Sequence, residues 1–134
     1  MAALDVHVVT PEREVWAGAA RMVVARGVAG EVGILPGHAP LLIRLAIGVL
    51  RIQREDGRWE VAVVDGGFLH VTSGEQGTRV DVLAAHAEMA GDIDRRAAEA
   101  RVEEMRARLA QAEDAEARAE LAKALARVEL ARGA

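Results

Sequence analysis

Hydrophobic and polar positions alternate along much of the first part of the chain. Leu4, Val6 and Val8 are separated by single polar residues, and the same period of two returns over residues 78–83. This alternation is typical of strands with one buried face. Valine-rich segments bounded by turn residues predict three more strands, over residues 49–53, 59–64 and 68–72. Short strands at intervals of about ten residues predict an antiparallel β-sandwich.

The period of the hydrophobic pattern changes after residue 90. Apolar residues then recur three or four positions apart, in two runs: Ala98, Val102, Met105, Leu109 and Ala112, followed by Ala117, Leu121, Leu125 and Val128. This spacing predicts two helices, each with a narrow apolar seam. Asp92 is predicted to cap the first helix and Asp114 the second, because a carboxylate can accept hydrogen bonds from the free N–H groups there. A short connection between them predicts an antiparallel helical hairpin.

Composition changes at the same place as the pattern. Residues 1–89 hold 15 of the 17 valines and all three prolines, whereas residues 90–134 hold 15 alanines and 19 charged residues. Valine favours strands, and alanine with charged residues favours helices. We therefore predict two domains, a β-sandwich over residues 1–89 and a helical hairpin over residues 90–134.

The side-chain chemistry of the 134 residues argues against several function classes. The net charge of −4 does not favour nucleic-acid binding, and the absence of cysteine excludes thiolate metal sites. Ser73 is the only serine and lies in a predicted turn with no neighbour to activate it. Gly30, Gly33 and Gly37 lack the Lys-Ser/Thr of a phosphate loop, so we interpret them as turns between strands. We expect no catalytic site and no metal.

Four segments resemble a known family. Residues 30–41 read GEVGILPGHAPL, residues 8–18 read VVTPEREVWAG, residues 65–68 read DGGF and residues 119–126 read AELAKALA. Together they resemble the epsilon subunits of bacterial F-type ATP synthases, in order over nearly the whole chain. The resemblance implies a non-catalytic rotor subunit of the central stalk, bound to the gamma subunit and the c-ring and facing the alpha and beta subunits. Such subunits couple proton flow to ATP synthesis, and many restrain ATP hydrolysis.

The resemblance also implies contact residues on the sandwich. Glu31 and His38 match family positions on the loops that face the c-ring, and we expect both in loops that a partner can reach. The apolar run Leu41, Leu42 and Ile43 is a candidate surface for the gamma subunit. The alternative is that this run is simply a buried strand.

A regulatory nucleotide pattern of the family, Ile/Leu-Asp-x-x-Arg-Ala, is incomplete in this chain. The candidate positions are Ile93, Asp94, Arg95 and Arg96, but the Arg of the pattern is replaced by Ala97. Arg96 lies one position early, which rotates it by about 100° around a helix. We therefore expect no cofactor, and regulatory ATP only if Arg95 or Arg101 replaces the missing guanidinium.

The hairpin is predicted to act as a movable element. Burial is worth about 0.8 kcal/mol per CH₂, so alanine-rich seams gain little by docking on the sandwich. An extended helix of about eighteen residues would reach about 27 Å towards a neighbouring subunit. The basic residues that could then meet acidic groups of the catalytic subunits are Arg101, Arg106, Arg108, Arg118, Lys123 and Arg127.

Two other function classes are alternatives to a rotor subunit. A β-sandwich that binds a small ligand under a helical lid would need convergent polar groups, and a small enzyme would need nucleophiles. The polar faces of the helices are mixed in sign, which argues against direct lipid binding. The chain begins close to its first strand, without a transit segment, so we expect it on the cytoplasmic side of a bacterial membrane, held there only through the complex.

Overall fold

The computed structural model describes residues 3–133, with side chains described for residues 3–131. Within that part, nine strands precede two helices. The strands are β1 (Leu4–Val9), β2 (Glu14–Gly27), β3 (Gly30–Ile34), β4 (Leu41–Arg44), β5 (Gly48–Arg54), β6 (Trp59–Asp65), β7 (Phe68–Gly74), β8 (Gly77–Leu83) and β9 (His86–Met89). A single 3-10 turn (Ala90–Asp92) leads into α1 (Arg95–Gln111) and α2 (Ala115–Gly133).

The nine strands form one hydrogen-bonded sheet that folds over into two layers. The strand order is β4-β7-β8-β1-β2-β5-β6-β9, and β3 pairs with β2. The long strand β2 belongs to both layers, because its first half pairs with β1 and its second half with β3 and β5. The pairings between the described strands are antiparallel, except that β1 runs parallel to β8. The predicted β-sandwich is confirmed.

Alternating side chains of both layers fill one aliphatic core. Leu4, Val6 and Val8 are buried on β1, and the core takes corresponding valines and leucines from β7 and β8. Burying each such side chain contributes about 1.5–3 kcal/mol. The valine-rich composition of residues 1–89 is therefore the composition of this core.

Strand β3 is not among the strands that the sequence pattern predicts. The segment with Gly30 and Gly33 forms β3, paired with the second half of β2, so Gly33 lies inside a strand and not in a turn. Gly37 does lie in a turn, with φ +87°. Glycine weakens strand patterns, so the pairing with β2 determines this structure rather than the local propensity.

Capping of the first helix also differs from the prediction. Asp94 is the N-cap of α1, and its Oδ1 accepts a hydrogen bond from the Ala97 N–H at 3.1 Å. The predicted cap, Asp92, lies instead in the 3-10 turn that precedes the helix. Asp114 does cap α2, because its Oδ1 accepts from the Ala117 N–H at 3.1 Å.

Candidate functional site

The two helices bury their apolar seams against each other. The hairpin has its own apolar cluster of Ala98 and Val102 from α1 with Ala124 and Val128 from α2, and it is separate from the sandwich core. The seams therefore join the two helices to each other and are not part of the sandwich core. Each seam is narrow enough to pack against only one surface, and here that surface is the other helix.

Two seam positions differ from the prediction, and one of them, Ala112, is exposed at the C-cap of α1. Leu125 was expected in the seam of α2, but its side chain is 41% exposed, whereas the neighbouring Ala124 is fully buried. Successive helix positions are rotated by about 100°, so only one of the two can face α1. The small residue fits there because the two helices approach closely, and Leu125 borders the groove between α2 and the sandwich.

Ion pairs connect α2 to the sandwich. Lys123 Nζ lies 2.5 Å from Asp65 Oδ2 at the end of β6 and 3.0 Å from Glu120 Oε1 in its own helix. Arg127 Nε lies 3.0 Å from Glu88 Oε1 on β9, but off the hydrogen-bond direction, so this contact is ionic. The hairpin is thus held to the sandwich partly by charge, which salt and charge-neutralising substitutions can weaken.

The contacts of Lys123 shift two pKa values, its own and that of Glu120. The hydrogen bond to Asp65 raises the pKa of Lys123, and the hydrogen bond from Lys123 lowers the pKa of Glu120. Both shifts favour the charged forms. Lys123 is therefore held in its charged form where it meets Asp65.

The other basic residues proposed as contacts for the catalytic subunits also have acidic partners within the hairpin. Arg101 Nη1 lies 3.1 Å from Glu104 Oε1 and Arg108 Nη2 lies 2.6 Å from Asp114 Oδ2. Arg106 pairs with Glu103, and Arg118 pairs with Glu113. These pairs are largely exposed and screened by solvent, so a partner can replace them.

The candidate nucleotide segment lies where the 3-10 turn meets α1. Asp94 uses one carboxylate oxygen as the helix cap, and Arg95 Nε lies 3.0 Å from Glu99 Oε1. Arg96 and Ala97 are exposed on the first turn of α1, and Ile93 is half-buried. The structure therefore brings Ile93, Asp94, Arg95 and Arg96 to one helix end, where Asp94 and Arg95 already have partners within the chain.

Of the two residues proposed to face the c-ring, one lies on a strand and the other in a loop. Glu31 is exposed on β3, opposite Arg26 of β2, so the expectation of a loop position is wrong for Glu31. His38 is half-buried in the loop between β3 and β4, as expected. Glu31 borders the groove beside α2, whereas the loop of His38 lies against the turn between β7 and β8.

The apolar run on β4 is divided between the core and the surface. Leu41 and Ile43 pack against the sandwich core, whereas Leu42 is 64% exposed. Strand register places Leu42 on the same outer face as Phe68 and Leu83, which are also exposed. Exposed apolar groups gathered on one face are typical of an interaction surface. The run is therefore neither wholly buried nor wholly exposed, and its contact with the gamma subunit stays a prediction.

Neither helix within the described part of the chain has an apolar stretch long enough to cross a bilayer. Residues 3–131 contain no group of three or more His, Cys, Asp or Glu side chains placed to hold a metal ion. The arrangement that the structure does provide is a set of contact surfaces on the sandwich and a charged connection to the hairpin.

Comparison with known proteins identifies the family of this architecture. Residues 3–90 match the family model described as ATP synthase, Delta/Epsilon chain, beta-sandwich domain. The ATP synthase epsilon chain of Thermobifida fusca is 47% identical over 96% of this chain and 92% of the relative. The ATP synthase epsilon chain of Chromohalobacter salexigens is 43% identical over 96% of this chain and 91% of the relative.

Solved structures agree with these relatives. A chain in the cryo-EM structure of Euglena gracilis mitochondrial ATP synthase, OSCP/F1/c-ring, aligns with a TM-score of 0.78 and 26% identity. That alignment covers 99% of this chain and 81% of the other, so it includes the hairpin as well as the sandwich. The chain therefore belongs to the ATP synthase epsilon family, whose members are non-catalytic chains of that complex.

Proposed function

We propose that this chain is a rotor subunit of the central stalk in a bacterial proton-translocating ATP synthase, where its hairpin restrains ATP hydrolysis. Its sandwich binds the gamma subunit and the c-ring, and the complex holds it on the cytoplasmic side of the membrane. The observation that carries this proposal is the separation of two apolar clusters, one per domain, with ion pairs between them.

This separation supports residues 1–89 and 90–134 as units that can move apart. Undocking of the hairpin would leave both apolar clusters intact, because neither cluster contains residues of the other domain. Each ion pair contributes at most about 1 kcal/mol when partly exposed. A docked and an extended hairpin would then differ by an amount that a partner subunit can overcome.

The contacts with other subunits are assigned to separate parts of the chain. The outer face with Leu42 is proposed for the gamma subunit, because its apolar side chains are exposed. Glu31 and His38 are proposed for the c-ring. The six basic residues of the hairpin are proposed for the alpha and beta subunits, where acidic groups would replace Glu104, Asp114 and the other present partners.

Hydrolysis by the assembled complex tests the inhibitory role from two directions. Deleting residues 91–134 should raise ATP hydrolysis and leave binding to the gamma subunit intact, because the sandwich core is complete without them. Neutralising the sandwich side of the connection with Asp65→Asn and Glu88→Gln should lower hydrolysis, because it favours the extended hairpin by about tenfold. This second change leaves every basic residue of the hairpin in place.

Glu75→Gln is the matched control, since Glu75 is exposed in the turn between β7 and β8. It should leave hydrolysis unchanged. The double neutralisation should also lose its effect when residues 91–134 are deleted. Hydrolysis that stays at the level of the parent complex after the deletion would rule out inhibition by this hairpin.

We further propose that the segment from Ile93 to Ala98 does not bind regulatory ATP. This follows from Ala97 at the Arg position of the family pattern, and the cap made by Asp94 and the pair between Arg95 and Glu99 support it. Calorimetric titration of the chain with ATP should give no binding heat. Saturable heat, together with NMR shifts at Asp94 and Arg95, would contradict this proposal.

A further inference from the structure

Two hydroxyl groups from the β7–β8 hairpin contact the loop that carries His38. Thr78 is 5% exposed at the start of β8, and its Oγ1 accepts a hydrogen bond from the Gly37 N–H at 2.7 Å. Ser73 Oγ, near the end of β7, donates to the His38 carbonyl oxygen at 2.6 Å. Residues 73 and 78 also face each other across the two strands, so they form one pair of hydroxyls.

The two hydroxyls contact each other as well as the loop. Ser73 Oγ lies 3.3 Å from Thr78 Oγ1. A hydroxyl has a single proton, and Ser73 gives its proton to the His38 carbonyl, so the Thr78 proton supplies the contact between the hydroxyls. The donors then follow one another from Gly37 N–H through Thr78 and Ser73 to the His38 carbonyl. Chains of hydrogen bonds of this kind polarise and strengthen one another.

The hydroxyl pair joins the loop to the β7–β8 hairpin. Gly37 adopts φ +87°, and the His38 N–H donates to the Leu35 carbonyl at 3.1 Å, so the loop is a tight turn. Leu35 on the same loop is 53% exposed. Without the hydroxyls, the Gly37 N–H and the His38 carbonyl would lose these partners within the chain.

We infer that Ser73 and Thr78 are positioning residues, which hold the loop over residues 35–39 in the conformation that the partner subunit binds. The inference rests on the proposed function, in which His38 faces the c-ring. A loop that is ordered before binding loses less conformational entropy on association than a mobile one. The only serine of the chain is therefore assigned a positioning role in assembly.

The test uses the full-length chain and a rotor of gamma subunit and c-ring prepared without the epsilon chain. Thr78→Val keeps the shape of the side chain and its preference for strands but removes the hydroxyl. It should increase amide hydrogen exchange at Gly37 and weaken binding to the rotor by about tenfold. Thr78→Ser should restore both measurements, because it returns the hydroxyl. Ser73→Ala removes the exposed half of the pair and provides the same test if Thr78→Val fails to fold.

Glu55→Gln is the control, because Glu55 is exposed in the turn between β5 and β6, two strands that pair with neither β4 nor β7. It should change neither exchange nor binding. Normal rotor binding by both Thr78→Val and Ser73→Ala, with His38→Ala weakened, would overturn the inference and leave the proposed function intact. If His38→Ala and Leu35→Ala both bind normally, the loop is not a contact, and the c-ring assignment fails together with the inference.

Discussion

Gly67 allows β7 to begin directly against the end of β8. Its φ is +96°, and a Cβ atom at this position would lie 2.1 Å from the Leu83 carbonyl oxygen. The Gly67 carbonyl also accepts a hydrogen bond from the Leu45 N–H at 2.8 Å, which ties β7 to the segment after β4. Both the dihedral angle and the close approach therefore require glycine.

Replacing Gly67 should destabilise the sandwich strongly. For Gly67→Ala we expect a loss of about 3 kcal/mol in the free energy of unfolding, from the left-handed conformation and the clash together. Urea unfolding followed by tryptophan fluorescence measures this loss. Gly74→Ala is the control, since nothing lies within 4 Å of a Cβ atom there. Equal stability of the two variants would show that the strand junction can adapt.

Single residues also show where sequence patterns are sufficient. Asp114 was predicted as a cap because it directly precedes an alanine-rich run, and it is one. Asp92 and Asp94 both precede α1, and the sequence cannot choose between them without the 3-10 turn. The contact of Ser73 with His38 spans 35 residues in sequence, so no local pattern could reveal it.

At the scale of elements, α2 depends on a cap that titrates. The hydrogen bond from the Ala117 N–H and then the one from Arg108 lower the pKa of Asp114. A lowered pKa in the folded state stabilises the fold at pH values above the unfolded pKa, which is about 4. That stabilisation is lost as the pH falls through the folded pKa. Glu120 has a lowered pKa too, through Lys123, and acts in the same direction.

The hairpin should therefore lose stability between about pH 5 and pH 2 and change little between about pH 5 and pH 9. Thermal melts followed by far-UV circular dichroism measure this dependence. Asp114→Asn retains a capping side chain but cannot titrate, so its stability should fall less on acidification. Asp92→Asn, in the exposed 3-10 turn, should behave as the parent does. An equal decline for Asp114→Asn and the parent would exclude the cap as a source of the pH dependence.

Elements with a clear period were predictable, and those with a mixed pattern were not. Alternating hydrophobic and polar residues predict β1 and β8, and apolar residues three or four positions apart predict α1 and α2. Strand β3 contains Gly30 and Gly33 and forms because β2 lies beside it. The choice of Ala124 over Leu125 in the seam depends on how closely the helices approach, which hydrophobicity alone does not indicate.

At the scale of the whole molecule, the sandwich and the hairpin each have their own apolar cluster, and ion pairs connect the two parts. The composition of the two halves predicted a sandwich and a hairpin, but it did not predict how they meet. The alanine-rich seams predict little gain from apolar docking, and the structure shows Lys123 and Arg127 of α2 paired with Asp65 and Glu88 of the sandwich. Pairs between distant residues depend on the tertiary fold, so the sequence could not identify these partners.

The distance between the two domains tests this arrangement most directly. The chain has no cysteine, so Glu75→Cys on the sandwich and Ala110→Cys on α1 would carry the only two spin labels. Pulsed electron resonance should give one docked distance at low ionic strength. A longer, broader distribution should develop in about 1 M salt, where the Debye length is about 3 Å, and with Asp65→Asn and Glu88→Gln. A single distance that neither salt nor these substitutions change would contradict a movable hairpin held by charge.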